Sequence, residues 1–311
     1  MTQQGFKRFR RRVQRPSPGS GADQVSVQES TSGQAGFARS AEETGHSASA
    51  HLSERQAAYR SDIGSETPLS LPAKLPPLWD RLPQIPFDPD HPAGASVPLV
   101  STCRSAPAAR AFDLLRTRLL QTLKARSWRC IAICAPSSEC GATFTAVNLA
   151  LSLARVPSSR TLLMDLNFRA PGVASALGLA AEGDLPAFLA GDIPVEDALV
   201  RPLDTLALGL NTVRDENAAE ILHGRRCADV LDDMIRRTEV ETVLFDLPPL
   251  LEFDDAAAFL PQVDGVLLVS DGTRTTAAQL AACESILAGQ VPLLGVLLNR
   301  GRGANVGAAV A

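Results

Sequence analysis

Three oxygen-bearing side chains stand where apolar segments of the chain end, and their types suit a magnesium–phosphate site. Asp165 and Asp246 close two such segments, and Thr143 follows a third. Magnesium prefers oxygen ligands and keeps several of its waters, so it needs few direct protein contacts. A single aspartate at a strand end can instead cap a following helix, and for Asp165 alone both interpretations stay open. The three positions together favour a nucleotide site.

The segments around these residues alternate between strand-like and helix-like patterns. Apolar runs predict strands at 129–135, 161–166, 203–210, 240–249, 264–270 and 292–299. Helical spacing predicts helices at 109–125, 143–156, 171–179, 219–238 (with a break near Gly224) and 275–290. This alternation is typical of an α/β fold with a parallel sheet flanked by helices on both faces. Because ligands of such sheets bind at the carboxyl ends of the strands, we expect the three side chains to meet there.

The segment after the first predicted strand occupies the position of a phosphate-binding loop. The general pattern G-x-x-x-x-G-K-[ST] falls on residues 136–143, PSSECGAT, where Gly141 and Thr143 fit it. Pro136 replaces the first glycine, and Ala142 replaces the lysine. A positive charge about 4 Å from a phosphate contributes about 4 kcal/mol at an effective dielectric constant of about 20. Its loss therefore weakens phosphate binding by up to roughly a thousandfold.

Three further segments resemble successive motifs of the bacterial tyrosine kinase family, which serves capsule and exopolysaccharide synthesis. They are LLMDLNFRAPGVASALGL, TVLFDLPPLLEFDDAAAFLPQVDGVLLVS and PLLGVLLNR. The resemblance covers residues 105–300 and implies the fold of P-loop NTPases with a deviant Walker motif. The segments RAFDLLRTRLL and DENAAEILHG also resemble parts of these kinases. Partition-type ATPases generally lack the helix that the first of these segments predicts.

The resemblance implies a role for each matching residue, with ATP and Mg²⁺ as cofactors. Asp165 corresponds to the aspartate associated with Mg²⁺ and base catalysis, and Asp246 corresponds to the Walker B aspartate. Thr143 corresponds to the hydroxyl that binds Mg²⁺, and Asn299 to the asparagine that reads the adenine base. The candidate metal ligands are therefore Thr143, Asp165 and Asp246. The candidate nucleotide-binding residues are Gly141, Ala142, Thr143, Phe144 and Asn299.

Other positions of the site depart from the family pattern. Glu139 stands where the family has a glycine, which adds a negative charge and a side chain to the loop. Asn167 replaces the second aspartate of the Walker A′ pattern. Arg169 follows the same strand and is a candidate to supply the charge missing at Ala142, with a structural ion pair or a solvated loop position as the alternatives. We therefore expect ATP and Mg²⁺ to bind weakly.

Features tied to the family's self-assembly and self-phosphorylation also differ. The family's E-x-x-R-x-x-R reads Arg110, Asp113 and Arg116, so only its last position matches. The residues after Asn299 contain no tyrosine, and the single tyrosine of the chain is Tyr59. A homo-oligomer nevertheless stays among the predicted assemblies.

The first part of the chain differs in composition from the rest. Residues 1–100 are rich in Ser, Gly, Pro and charge, with a proline-dense stretch at 71–98, and predict a long disordered arm and linker. Residues 101–311 predict the globular domain. Residues 1–20 carry a charge of +6, which leaves −10 for the remainder of a chain with a net charge of −4. The arm suits weak contact with an anionic membrane, and the acidic remainder argues against nucleic acid as a partner.

The sequence further predicts a cytoplasmic protein that is peripheral at the inner face of the plasma membrane. No apolar run reaches the roughly 18 residues of a transmembrane helix, and the N-terminus lacks the apolar core of a signal peptide. The cysteines form no C-x-x-C pair and are expected to be reduced thiols.

The leading hypothesis is a degenerate tyrosine-kinase-like protein that acts as a cytoplasmic partner or regulator of a membrane polysaccharide co-polymerase. It would serve capsule or exopolysaccharide synthesis and export. The alternatives are an active ATP-binding protein-tyrosine kinase of the same pathway and a partition-type ATPase. The sequence alone does not decide whether the protein is an enzyme, although the missing lysine favours a non-catalytic protein.

Overall fold

The computed structural model describes residues 77–157, 159–180 and 182–301. The predicted disordered arm up to residue 76, with Tyr59, lies outside these residues. The helices are α1 Leu78–Arg81, α2 Pro107–Arg126, α3 Ala142–Leu153, α4 Val173–Leu177, α5 Leu185–Ala190, α6 Val195–Ala198, α7 Ala218–His223, α8 Arg225–Thr238, α9 Asp255–Phe259 and α10 Ala277–Leu287. The strands are β1 Cys130–Cys134, β2 Thr161–Asp165, β3 Leu199–Leu203, β4 Leu206–Gly209, β5 Thr242–Asp246, β6 Gly265–Asp271 and β7 Leu293–Asn299.

The strands form one seven-stranded sheet in the order β3-β4-β2-β5-β1-β6-β7. All neighbouring pairs are parallel except β3 with β4. The predicted α/β architecture is therefore confirmed, with one antiparallel edge. The strand predicted at 203–210 is β4 with the last residue of β3. The preceding LVRPL was not predicted as a strand because Arg201 and Pro202 interrupt its apolar pattern, and an edge strand tolerates such a proline.

Two apolar layers cover the two faces of the sheet, as the uninterrupted burial of its central strands requires. One layer joins α2, α3 and α4 to strand residues such as Ile131, Leu163 and Leu244. The other joins α5 to α10 to the residues that alternate with these along the strands, such as Ala132 and Leu162. Helix α3 is buried continuously from Thr145 to Leu153. This burial fixes the helix that follows the predicted phosphate loop.

The described part of the proline-dense stretch belongs to this domain. Helix α1 buries Leu78 and Trp79, and the indole Nε1 of Trp79 donates a hydrogen bond of 2.9 Å to the carbonyl of Asp204. Leu99 and Val100 are also buried in the core, and the residues from Pro77 onward fall in the same compact unit as the sheet. The prediction of a linker up to residue 98 is therefore wrong for its described part. Apolar residues scattered between prolines give no helix or strand pattern, although here they anchor the chain.

Candidate functional site

The loop between β1 and α3 keeps the backbone shape of an anion cradle. Two residues of this turn have a left-handed backbone conformation: Glu139, with a φ of +62°, and Gly141, with a φ of +95°. Within the described residues, no backbone N–H group from Glu139 to Phe144 donates a hydrogen bond. Such groups at a helix N-terminus form a favourable site for a phosphate. The loop therefore presents donors to an anion although its sequence departs from the general pattern.

The two predicted aspartates face each other beside this loop. Asp165 and Asp246 are register partners on the adjacent strands β2 and β5, and both are fully buried. Asp165 Oδ2 accepts hydrogen bonds of 2.9 Å from the backbone N–H groups of Gly172 and Val173. Thr143 Oγ1 donates a hydrogen bond of 2.6 Å to Asp246 Oδ2. The structure thus brings the three candidate metal ligands together.

Burial and mutual repulsion set the electrostatics of this carboxylate pair. Burial raises the pKa of Asp165 to about 6, against the opposing backbone N–H bonds. Burial and the charge of Asp165 raise the pKa of Asp246 well above its ordinary value. Among the described residues, Oδ1 of each aspartate is buried without a hydrogen-bond partner. Two such oxygens beside a threonine hydroxyl fit a small cation that prefers oxygen ligands, such as Mg²⁺.

Asn299 and Phe144 occupy supporting positions around the loop. Asn299 Nδ2 donates a hydrogen bond of 3.0 Å to the carbonyl of Cys140. A Cβ atom at Gly141 would approach this Nδ2 atom to 2.2 Å and would have to displace the amide, and the φ of +95° favours glycine at this position. The ring of Phe144 packs edge-to-face on Phe112 of α2, with centroids 5.9 Å apart. Phe144 therefore supports the start of α3 through packing as well as lining the site.

Arg169 forms a structural ion pair. Its guanidinium donates to both carboxylate oxygens of the fully buried Asp255, at 2.8 and 3.0 Å, and lies over the ring of Phe253. A bidentate pair of this kind holds the guanidinium in one place. Of the alternatives considered for Arg169, the structure shows the ion pair. Asn167 lies beside it and accepts a hydrogen bond from the backbone N–H of Ala170.

Three polar side chains that the sequence patterns did not single out bind the loop from outside. Glu252 accepts from both the backbone N–H and the hydroxyl of Ser138. The other two are Arg274, which follows β6, and Arg300, which follows β7. Asp271, the last residue of β6, binds Arg300 and not the loop itself. Asp271 closes an apolar strand as Asp165 and Asp246 do, which was a usable signal. No pattern pointed to Glu252 or Arg274.

The loop borders a pocket of about 750 Å³. Its wall contains the loop from Ser137 to Phe144, together with Asn167, Arg169 and Arg300. The pocket opens at the carboxyl edge of the sheet, where ligands of parallel α/β sheets bind. Its size is within the range of pockets that hold small molecules and cofactors.

Helix α2 is tied to α3 by a polar cluster around Asp113. The Asp113 carboxylate accepts hydrogen bonds from Arg116, Ser152 and Arg155, at 2.8 to 3.0 Å. Of the three residues aligned with the family's E-x-x-R-x-x-R segment, Asp113 and Arg116 are thus bonded to each other within the chain. Arg110 donates to the carbonyl of Ser105.

A mostly parallel α/β sheet with a cradle between the first strand and a buried helix defines a P-loop NTPase-type domain. No profile of a known protein family matches the sequence. The structure is similar to the kinase domain of the Escherichia coli tyrosine kinase Etk, with a TM-score of 0.60 and 21% sequence identity over 74% of this chain and 91% of that domain. This likeness concerns the fold.

Sequence comparison finds proteins that are similar to this chain. EpsB of Ralstonia nicotianae, provisionally named a tyrosine-protein kinase, is 27% identical over 198 residues, which are 62% of this chain and 26% of EpsB. The succinoglycan biosynthesis transport protein ExoP of Rhizobium meliloti is 30% identical over 189 residues, which are 58% of this chain and 23% of ExoP. The chain therefore spans about a quarter of the length of these relatives. It is related in sequence and fold to the bacterial tyrosine kinases.

Proposed function

We propose that this protein is a phosphate-loop protein of the bacterial tyrosine kinase type whose phosphoryl-transfer capacity is strongly impaired. It would act as a partner or regulator of a membrane polysaccharide co-polymerase in capsule or exopolysaccharide synthesis. The observation that carries the proposal is Ala142, which stands at the lysine position of an otherwise assembled site. The protein's working role would then be binding and regulation rather than catalysis.

Different residues of the site would bind the phosphates and the magnesium ion of MgATP. The backbone N–H groups from Glu139 to Phe144 would hold the phosphates, and Thr143, Asp165 and Asp246 would hold Mg²⁺. Bound MgATP would supply a transferable phosphoryl group. Protein catalysis of such a transfer is almost entirely positioning and charge stabilisation. Ala142 contributes neither, so a bound nucleotide would be held loosely and react slowly.

The proposed pathway is supported by the similarity to ExoP, a protein named for succinoglycan biosynthesis and transport. The resemblance of the chain to capsule and exopolysaccharide kinases points in the same direction. In the described residues, no helix is long and apolar enough to cross a membrane.

Isothermal titration calorimetry of the full chain with MgATP tests the weak site. We expect a dissociation constant well above the micromolar range, and micromolar affinity would contradict the proposal. The full chain is used because a fragment beginning near residue 100 would lose the buried Leu78 and Trp79. The variant Thr143→Val serves as a control for specific binding, since it removes the hydroxyl that faces Asp246.

A second candidate function is an active protein-tyrosine kinase of the same pathway. The buried pair of Asp165 and Asp246, with Thr143 beside it, is the observation that favours it. Complementation separates the two candidates. A non-catalytic partner predicts that Asp165→Asn, expressed at the wild-type level, restores polymer production in a strain that lacks the protein. Loss of production, together with loss of radiolabel transfer from ATP, would establish the kinase instead.

A further inference from the structure

The phosphate loop contains a residue whose backbone conformation needs outside support. Glu139 has a φ of +62°, in the left-handed region that favours glycine. A side chain with a Cβ atom is disfavoured there, and such a conformation persists only when neighbouring groups hold it. The orientation of the N–H groups that follow Glu139 depends on this turn. Whatever fixes Glu139 therefore fixes the cradle.

Arg300 makes the contact that fixes the main chain at this point. Its Nη1 donates a hydrogen bond of 3.1 Å to the carbonyl of Glu139 and one of 2.6 Å to Asp271 Oδ2. Asp271 is fully buried at the end of β6, and its other oxygen accepts from the backbone N–H and the hydroxyl of Thr273. Thr273 thus fixes one oxygen of the carboxylate, and the other oxygen fixes the Arg300 guanidinium. Through its bond to the Glu139 carbonyl, Arg300 links the loop to the ends of β6 and β7.

A second arginine binds the side chain of the same residue. Arg274 Nη1 donates a hydrogen bond of 2.6 Å to the Glu139 carboxylate. This pair is exposed, with 56% and 74% of the two side chains accessible to solvent. Exposed pairs contribute little, so Arg274 is the weaker support. The Arg300 side chain is itself 51% exposed, but its partner Asp271 is fully buried, so the main-chain contact of Arg300 is the stronger one.

We propose that Arg300 is the positioning residue of the cradle, and that it keeps the loop ready for a di- or triphosphate anion where a glycine at position 139 would otherwise do so. This inference rests on the proposed phosphate site and adds a residue to it. Arg300 acts through Glu139: it is needed because position 139 is not glycine. A direct contact between Arg300 and a phosphate is a different role, and the experiment separates the two.

A double-mutant cycle in the full chain provides the test. The affinities for MgADP, pyrophosphate and adenosine are measured for the wild type, Arg300→Ala, Glu139→Gly and the double variant. The same cycle is repeated with Ala142→Lys present, which raises weak affinities into the measurable range. Arg236→Ala is the matched control, because Arg236 is an exposed arginine of α8 whose one ion pair among the described residues is with Asp233. Thermal unfolding of each variant verifies that it is folded.

Positioning predicts a specific pattern of coupling. Arg300→Ala should weaken MgADP and pyrophosphate binding about tenfold, which corresponds to about 1.4 kcal/mol, and should leave adenosine binding unchanged. In the Glu139→Gly background the same change should cost less than about twofold, since glycine adopts the left-handed turn without support. Deviation from additivity is the signature of two residues that act together.

Three results would contradict the positioning role of Arg300. An equal loss with and without Glu139→Gly would overturn the positioning role and assign Arg300 a direct phosphate contact. No loss in either background would remove Arg300 from the site. Absence of binding in every variant, including Ala142→Lys, would overturn both this inference and the cradle. The absolute affinity of the wild type tests the proposed function, whereas the coupling tests only the role of Arg300.

Discussion

Ala142 decides how strongly the cradle can hold a phosphate, because it is the one position where a full positive charge is expected and missing. We predict that Ala142→Lys increases affinity for MgATP by at least tenfold, with roughly a thousandfold as the upper bound set by one close charge pair. Calorimetry measures the change. Ala142→Met is the control, because it adds a side chain of similar length without charge. Equal affinities of the lysine and methionine variants would show that charge is not what the site lacks.

The buried carboxylate pair predicts a stability that depends on pH in a defined direction. Because burial raises the pKa of Asp165 from 3.8 to about 6, the folded chain holds a proton between these values that the unfolded chain releases. The contribution of this group to stability is therefore present below pH 4 and is lost as the pH rises through 6. We predict that the free energy of unfolding of Asp165→Asn exceeds that of the wild type by about 3 kcal/mol at pH 7.5, and that the two free energies are nearly equal at pH 4.

Chemical denaturation across this pH range checks the prediction. Asp229→Asn is the control, since Asp229 is exposed on α8, and it should change stability equally at both pH values. Addition of Mg²⁺ at pH 7.5 should stabilise the wild type and not Asp165→Asn, because a cation compensates the two buried charges. A wild type that is more stable at pH 7.5 than Asp165→Asn in the absence of Mg²⁺ would refute the raised pKa.

At the scale of elements, α1 extends the domain beyond the region with regular sequence patterns. Trp79 is 1% exposed and Trp128 is partly exposed beneath Arg126. We predict that Trp79→Ala lowers the free energy of unfolding by about 3–5 kcal/mol, and that Trp128→Ala lowers it by much less. A chain that begins at Pro77 should match the stability of the full chain. A chain that begins at residue 101 with equal stability would show that α1 is dispensable.

The elements that the sequence predicted well are those with long, regular apolar patterns. Strands β1, β2, β5 and β6 are buried on both faces, so their apolar runs are continuous and their ends are marked by polar residues. The edge strand β3 and the short helix α1 lack such a pattern because their burial depends on distant partners. Trp79, for example, is bonded to Asp204, 125 residues away.

The same distinction applies within the site. Asp165, Asp246 and Thr143 follow strands and were found together at the sheet edge, as expected from the parallel topology. Arg300, Arg274 and Glu252 reach the loop from other segments, and their role depends on side-chain geometry that no spacing reveals. The departure at Glu139 predicted a disturbed loop, whereas the described backbone keeps the left-handed turn. Sequence reasoning identified the changed residue and missed the contacts that hold its main chain.

At the scale of the whole molecule, charge is separated along the chain. Residues 1–20 carry +6 and the remainder −10. An anionic membrane would attract the first segment, at about 1 kcal/mol per basic residue near the surface, and repel the rest. The chain should therefore bind such a membrane weakly and through its N-terminal segment alone. This arrangement would bring a kinase-like domain close to the membrane surface where a membrane co-polymerase works. The domain itself would not bind the lipid.

Vesicle co-sedimentation tests whether the N-terminal segment alone binds the membrane. We predict that the full chain binds vesicles containing phosphatidylserine at low salt, and that binding fades as salt rises, since the Debye length shortens from about 30 Å at 0.01 M to about 10 Å at 0.1 M. Binding should be absent on neutral phosphatidylcholine vesicles and after deletion of residues 1–20. A full-length variant with glutamine at the six basic positions of that segment is the matched control, because it removes the charge and keeps the length. If the glutamine variant binds as well as the wild type, the segment acts through something other than its charge. If the deletion variant binds as well as the wild type, the membrane contact lies elsewhere in the chain.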